Sequence, residues 1–226
     1  MRLRHPIFAW LFVLPAAIGV IAFVLAPVAF SFVLSLTNWQ LVGAREFVGF
    51  DNYALLFTGD ALWNSLAVTG MFTLLSVPVS MALGLILALQ LHKAFPGSSV
   101  ARVVLVIPWV CAPVAVGVVW SWIFQPTNGA ANVLLGTRIE WLTSHSLALP
   151  VVAFVAVWQT VGYNALFYQA GLQKIPHSIY EAAELDGAGP WRRLVTMTIP
   201  LLRPTTFFVA LTQMVASFQV FDTVYS

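Results

Sequence analysis

Five long apolar runs, at about 8–36, 65–91, 103–124, 147–171 and 204–225, alternate with short polar stretches along the chain. A helix needs roughly 20 apolar residues to cross the hydrocarbon core of a bilayer, so each run is long enough to span. The first three contain no Lys, Arg, Asp or Glu. That matters, because a charge at the centre of an inserted helix costs about 2.5–3.5 kcal/mol. Pro15, Pro27, Pro78, Pro108 and Pro113 fall inside the runs. Helices in lipid tolerate them, since neighbouring helices and side chains satisfy the freed carbonyls. The pattern predicts an all-α, polytopic transmembrane helix bundle with five visible spans in a single domain. The first run, with Arg2 and Arg4 before it, is too long for a signal-peptide core of roughly 7–15 residues, and no small-x-small cleavage site follows it.

Composition narrows the class. Hydrophobic residues make up 60% of the chain and charged residues 8%, whereas a soluble domain carries about a quarter charged residues. There is no basic run that would suggest nucleic acid. The single cysteine, Cys111, excludes an intrachain disulfide and reads as a small buried hydrophobe. Orientation follows from the basic residues. Arg2, Arg4, Lys93, Arg102, Lys174, Arg192, Arg193 and Arg203 fall on one side of the alternation, and only Arg45 and Arg138 on the other. Eight against two puts the N-terminus in the cytoplasm. Trp39, Trp63, Trp120, Trp122 and Trp141 then gather toward the outer interface, where amphipathic rings favour the headgroup level.

The loop at about 172–203 is the longest on the cytoplasmic side, and its chemistry predicts two short helices. Ser178 and Glu181 have the spacing of a capping box. Ala182, Ala183, Glu184 and Leu185 continue as helix formers. Gly187 suits the left-handed C-terminal cap, and Asp186 is placed to cap the turn or to pair with Arg192 or Arg193. Pro190 restarts a helix through Thr198, and Pro200 marks its end. Local chemistry leaves two uses open. One is a stiff elbow that transmits force, and the other is an amphipathic loop held at the lipid surface by Trp191, Arg192 and Arg193.

Glu181-Ala182-Ala183, Gly187 four residues on, and the ending Met197-Thr198-Ile199-Pro200 together resemble the EAA loop of binding-protein-dependent ABC importer permeases. Met197 stands where that pattern usually has Ile, and Ile199 where it has Leu. The run from Ala170 through Ala188 is similar to the carbohydrate-uptake branch, as are residues 35–39 (Ser-Leu-Thr-Asn-Trp) and 47–53 (Phe-Val-Gly-Phe-Asp-Asn-Tyr). The resemblance implies a six-span architecture of which five spans are visible here. It also implies a bacterial inner-membrane location and an assembly with three kinds of partner: a second homologous permease subunit, an ATP-binding cassette ATPase dimer and an extracytoplasmic solute-binding protein. ATP and magnesium would sit on the ATPase; this sequence has no G-x-x-x-x-G-K-[ST] and is expected to bind no cofactor itself. In that assembly Glu181 would pair with a basic residue of the ATPase, Ala182 and Ala183 would let the partner surface approach, and Gly187 would set the turn.

A path for the solute is suggested by uncharged polar residues within spans. Gln159, Tyr163 and Asn164 lie in the fourth, and Gln213 and Ser217 share a face of the fifth. They could bind the hydroxyls of a sugar or polyol. Interhelical hydrogen bonding is the competing role for each. Asp222 reads as interfacial, and His92, His145 and His177 show no pairing that suggests a metal site or proton relay. A secondary transporter of a small polar solute is the rival class. It needs an ion-coupling carboxylate within a span, and the first four spans have none.

Overall fold

The computed structural model describes residues 6–39, 45–92 and 96–219. Arg2, Arg4, Lys93 and Asp222, with the end of the fifth expected span, lie outside them. The described chain is helical apart from one two-residue strand pair and its loops, and it divides into two units, Met1–Leu66 and Ala67–Ser226.

In the first unit the leading apolar run is α1 (Pro6–Val20), a π-helical turn (Ile21–Leu25) and α2 (Ala26–Ser35). The π turn has a local cause in Pro27, which has no amide hydrogen and whose ring crowds the preceding turn. Just before it the ladder widens, and the Ala26 amide donates to Ile21 O, five residues back. None of residues 10–35 is buried by the chain itself, as suits a helix surrounded by lipid. Beyond α2, β1 (Thr37–Asn38) pairs antiparallel with β2 (Glu46–Phe47). Asn52, in α3 (Asp51–Thr58), donates from Nδ2 to Ser35 O at 2.9 Å and to Thr37 O at 3.1 Å. Tyr53 Oη lies 2.6 Å from Ser35 Oγ. The two family-like segments 35–39 and 47–53 are therefore each other's hydrogen-bond partners.

α4 (Asp60–His92) carries the chain into the second unit, where α5 (Ser98–Val110), α6 (Pro113–Ile123), α7 (Ala130–Leu135) and α8 (Ala148–Gln173) follow. The spine is α8. A Cβ built on Gly162 would overlap the Leu105 carbonyl, so α8 meets the backbone of α5 directly. A Cβ on Gly84 of α4 would stand 2.7 Å from Asn164 Cβ. Small residues at crossings are what allow membrane helices to pack, because lipid supplies no hydrophobic drive between them. Ala88, Tyr168, Leu172 and Leu202 form the buried cluster beside these crossings. Between α6 and α8, the buried Asn132 organises the loop. Its Nδ2 donates to Pro126 O (3.0 Å) and Ile139 O (2.9 Å), and its Oδ1 accepts from Trp141 Nε1 (2.8 Å).

Two expected spans are not single rods. The run at 103–124 is α5 and α6, which meet at 92°. Cys111 and Ala112 are extended there, with ψ of 142° and 128°. Pro113 is the reason: its ring disfavours the helical region for the residue before it, and it suits the first turn of the next helix. Cys111 is consequently exposed at the break and not the buried hydrophobe that the apolar run suggested. The run at 204–225 is α12 (Arg203–Ser217) as far as the described residues go, bent by 64° from the helical segment Pro190–Leu201 before it.

The backbone contact at Gly162 has a measurable consequence. Gly162→Ala forces α5 and α8 apart and is expected to cost about 1–3 kcal/mol, as overpacking does. Gly19→Ala, with nothing within 4 Å of the new methyl group, is the control. Thermal unfolding of the purified variants should show a lower Tm for the first alone, and equal values would refute the close crossing.

Candidate functional site: a capped elbow and a polar cavity

The elbow begins with α9 (His177–Leu185), capped at its N-terminus by Pro176 with no side-chain hydrogen bond. The expected capping box is therefore not formed. The helix starts one residue before Ser178, so Ser178 lies inside it, and Glu181 instead meets His177 one turn back, Oε1 to Nδ1 at 2.9 Å. His177 thus has a local helical partner, a single ion-pair contact that makes neither a metal site nor a relay. The C-terminus closes in a Schellman arrangement. Ala188 N–H donates to Ala183 O (2.9 Å), Gly187 N–H donates to Glu184 O (3.0 Å), and Gly187 sits at φ +73°. The space around it is open, but that φ is strained for an L side chain, which is why glycine suits it.

The second arm is α10 (Pro190–Arg193), a π turn (Leu194–Thr198) and α11 (Ile199–Leu201). Pro200 falls one residue before the helix end at Leu201, close to where the sequence placed it. The ladder widens before it, with Ile199 N–H donating to Leu194 O, so the missing proline amide breaks no bond and the helix runs on to Leu201. The same device precedes Pro27. Two side-chain contacts lock the arms together. Arg193 pairs with Glu184, and not with Asp186, whose backbone serves as the helix C-cap. Tyr180 Oη lies 3.1 Å from Thr198 Oγ1, which is buried. Ala183 is 1% exposed, so its small side chain is covered by this chain and is not offered to a partner. Glu181, Ala182, Asp186 and Gly187 are exposed, and Leu185 at the tip is 90% exposed.

The cavity lies within the second unit and encloses about 250 Å³. Ser76 and Ser80 of α4, Gln159 of α8, and Gln213 and Ser217 of α12 contribute its polar wall. Phe72 and Trp109 contribute aromatic surface. The residues singled out from the sequence divide into three roles here. Gln159, Gln213 and Ser217 line the space. Tyr163 stands behind the wall, its ring stacked on Trp109 with centroids 4.6 Å apart. Asn164 is 0% exposed and acts as an interhelical bolt: Nδ2 donates to Ser80 Oγ (3.2 Å) and Oδ1 accepts from Gln213 Nε2 (2.7 Å). That bond orients the Gln213 amide from behind. Ser76 and Ser80 were missed, although their i,i+4 spacing in the second span was as readable as that of Gln213 and Ser217. Trp109 and the Tyr180–Thr198 contact carried no local signal. Among the described residues no group of three His, Cys, Asp or Glu could hold a metal ion.

Comparison with known proteins places this geometry. Residues 80–226 match the family described as binding-protein-dependent transport system inner membrane component. The chain is 34% identical to the lactose transport system permease protein LacF of Rhizobium radiobacter, an alignment covering 100% of this chain and 78% of that protein. It is 35% identical to the sn-glycerol-3-phosphate transport system permease protein UgpA of Agrobacterium fabrum, over 97% of this chain and 75% of the relative. The trehalose transport system permease protein SugA of Mycobacterium tuberculosis is 30% identical, over 99% and 74%. Among solved structures, a bacterial ABC transporter involved in the import of the acidic polysaccharide alginate superposes with a TM-score of 0.80 at 20% identity, covering 94% of this chain and 74% of that one. The fold is thus that of an importer permease, and the chain belongs to the binding-protein-dependent transport system inner membrane components.

Proposed function

We propose that the chain is a permease subunit of an ATP-driven importer that carries a neutral sugar or polyol through the cavity lined by Gln159, Gln213 and Ser217. One observation carries the reading. The helical run that forms the elbow's second arm leads through a single bend into α12, which supplies Gln213 and Ser217 to the cavity. A push on the elbow would reach the cavity wall through stiff elements only. The Schellman turn, the Glu184–Arg193 pair and the Tyr180–Thr198 contact remove the slack a flexible loop would have.

The exposed face at Glu181, Ala182 and Leu185 supports docking to an ATPase subunit. Leu185 offers an apolar knob and Glu181 a charge beside it. Eight of ten basic residues on one side of the span alternation support a cytoplasmic N-terminus and put the elbow on the ATPase side. A second permease, the ATPase pair with its ATP and magnesium, and an extracytoplasmic binding protein complete the assembly. The solute class rests on the cavity wall. Its polar side chains among the described residues are hydroxyls and amides, set among aromatic and aliphatic ones such as Trp109, Val77 and Val152, which suits hydroxyl-rich neutral molecules, whereas a phosphorylated or acidic solute calls for a cationic group.

Two measurements test these roles. Glu181→Lys should leave the chain in the membrane but lower solute-stimulated ATP hydrolysis, since reversing a docked charge costs about 2–5 kcal/mol. His177→Ala, which removes only the local partner, should retain most of that stimulation; equal loss in both variants would reduce Glu181 to a local role. Gln159→Ala should raise the KM for uptake roughly 2- to 12-fold, the loss of a neutral hydrogen bond worth about 0.5–1.5 kcal/mol. An unchanged KM would remove Gln159 from the path.

A further inference from the structure

A second concavity lies outside the cavity just described. It is an open groove of about 480 Å³ along α5, walled by Val103, Val106, Ile107 and Val110 with Leu166 of α8 opposite. Its lining is apolar except at one end, where Arg102 stands, and Cys111 marks the other end. From residue 102 to 111 the helix rises roughly 14 Å at 1.5 Å per residue. That is about half of a hydrocarbon core of roughly 30 Å, or the depth of one leaflet. The 92° break after Val110 stops the groove at that depth.

The charged end is built into the helix packing. Arg102 Nη2 donates to Leu91 O at 3.1 Å, a carbonyl that also accepts from Gln169 Nε2 at 3.3 Å. Arg102 Nε is buried and finds no acceptor among the described residues. A guanidinium held this way at the surface end of a span, above an apolar trough one leaflet deep, presents a cation where phosphates lie and a slot where an acyl chain lies. Anionic lipid is drawn to such basic sites between spans. A helix from another subunit would fill the apolar part but would have to bring its own acceptor to Arg102.

We propose that this groove is a binding site for one anionic phospholipid, with its phosphate on Arg102 and an acyl chain along Val103, Val106 and Val110. The site is independent of the solute and docking roles above. Cys111 is the only cysteine in the chain and lines the far end, so a small fluorophore attached there reports on what fills the groove. The protein is reconstituted in vesicles containing acyl-brominated phosphatidylglycerol or phosphatidylcholine, and quenching is followed against lipid mole fraction. Phosphatidylglycerol should quench at a several-fold lower mole fraction than phosphatidylcholine. Arg102→Gln should abolish the difference, Arg102→Lys should keep most of it, and Val106→Trp should reduce quenching by both lipids. Native mass spectrometry of the unlabelled protein should show retained phosphatidylglycerol that Arg102→Gln loses. Equal quenching by the two lipids, or a preference that survives Arg102→Gln, overturns the proposal. So does protection from both lipids in the assembled transporter, which would mean that a subunit covers the groove.

Discussion

The absence of a side chain at Gly162 lets α8 lie against the carbonyl of Leu105, and the arrangement of the second unit follows from that contact. In lipid nothing like the aqueous hydrophobic effect presses helices together, so close packing and internal hydrogen bonds must do it. Close approach at Gly162 holds α5, while Gly84 allows α4 to approach α8 at Asn164. Gly171 likewise lets α12 approach α8 at Thr205, and with α4 and α12 both this near, one buried amide reaches the two of them. Asn164 joins Ser80 of α4 to Gln213 of α12, and in doing so fixes the polar wall of the cavity.

Interhelical bonding and cavity lining are not exclusive among the polar span residues, and the structure joins them. Asn164 has no surface of its own, yet it aims the amide of Gln213, which does line the space. Tyr163 stands in the same relation to Trp109, stacking behind a ring that faces the cavity. Positioning groups and lining groups are therefore neighbours on α8, at Tyr163, Asn164 and Gln159. A mutation series that treats all of them as solute contacts would mix stability effects with affinity effects.

Proline shapes both the membrane part and the elbow, with opposite local results. Before Pro27 and Pro200 the helix widens to a π turn, and the chain continues without a broken bond. Before Pro113 two residues turn extended, and the helix breaks through 92°. The break does two things: it brings Trp109 and Pro113 to the cavity, and it ends the groove that runs along Val103, Val106 and Val110 of the same segment.

The number of apolar runs, the all-α class, the helical elbow and the left-handed turn at Gly187 were legible in the sequence. Each is a local consequence of hydrophobic run length or of the φ preference of one residue. The family was legible too, because the loop pattern from Glu181 to Pro200 is a fixed spacing within one short segment. Which side chain bonds which was not. Glu181 chose His177 over Ser178, Arg193 chose Glu184 over Asp186, and Ala183 turned inward, because the register of α9 and the fold of the turn decide reach. Whether a proline breaks a helix or merely widens it also lay beyond the sequence. Pro27 and Pro113 both lie in apolar runs on paper, and the run alone does not distinguish a position that opens into an extended link from one that keeps its ladder closed.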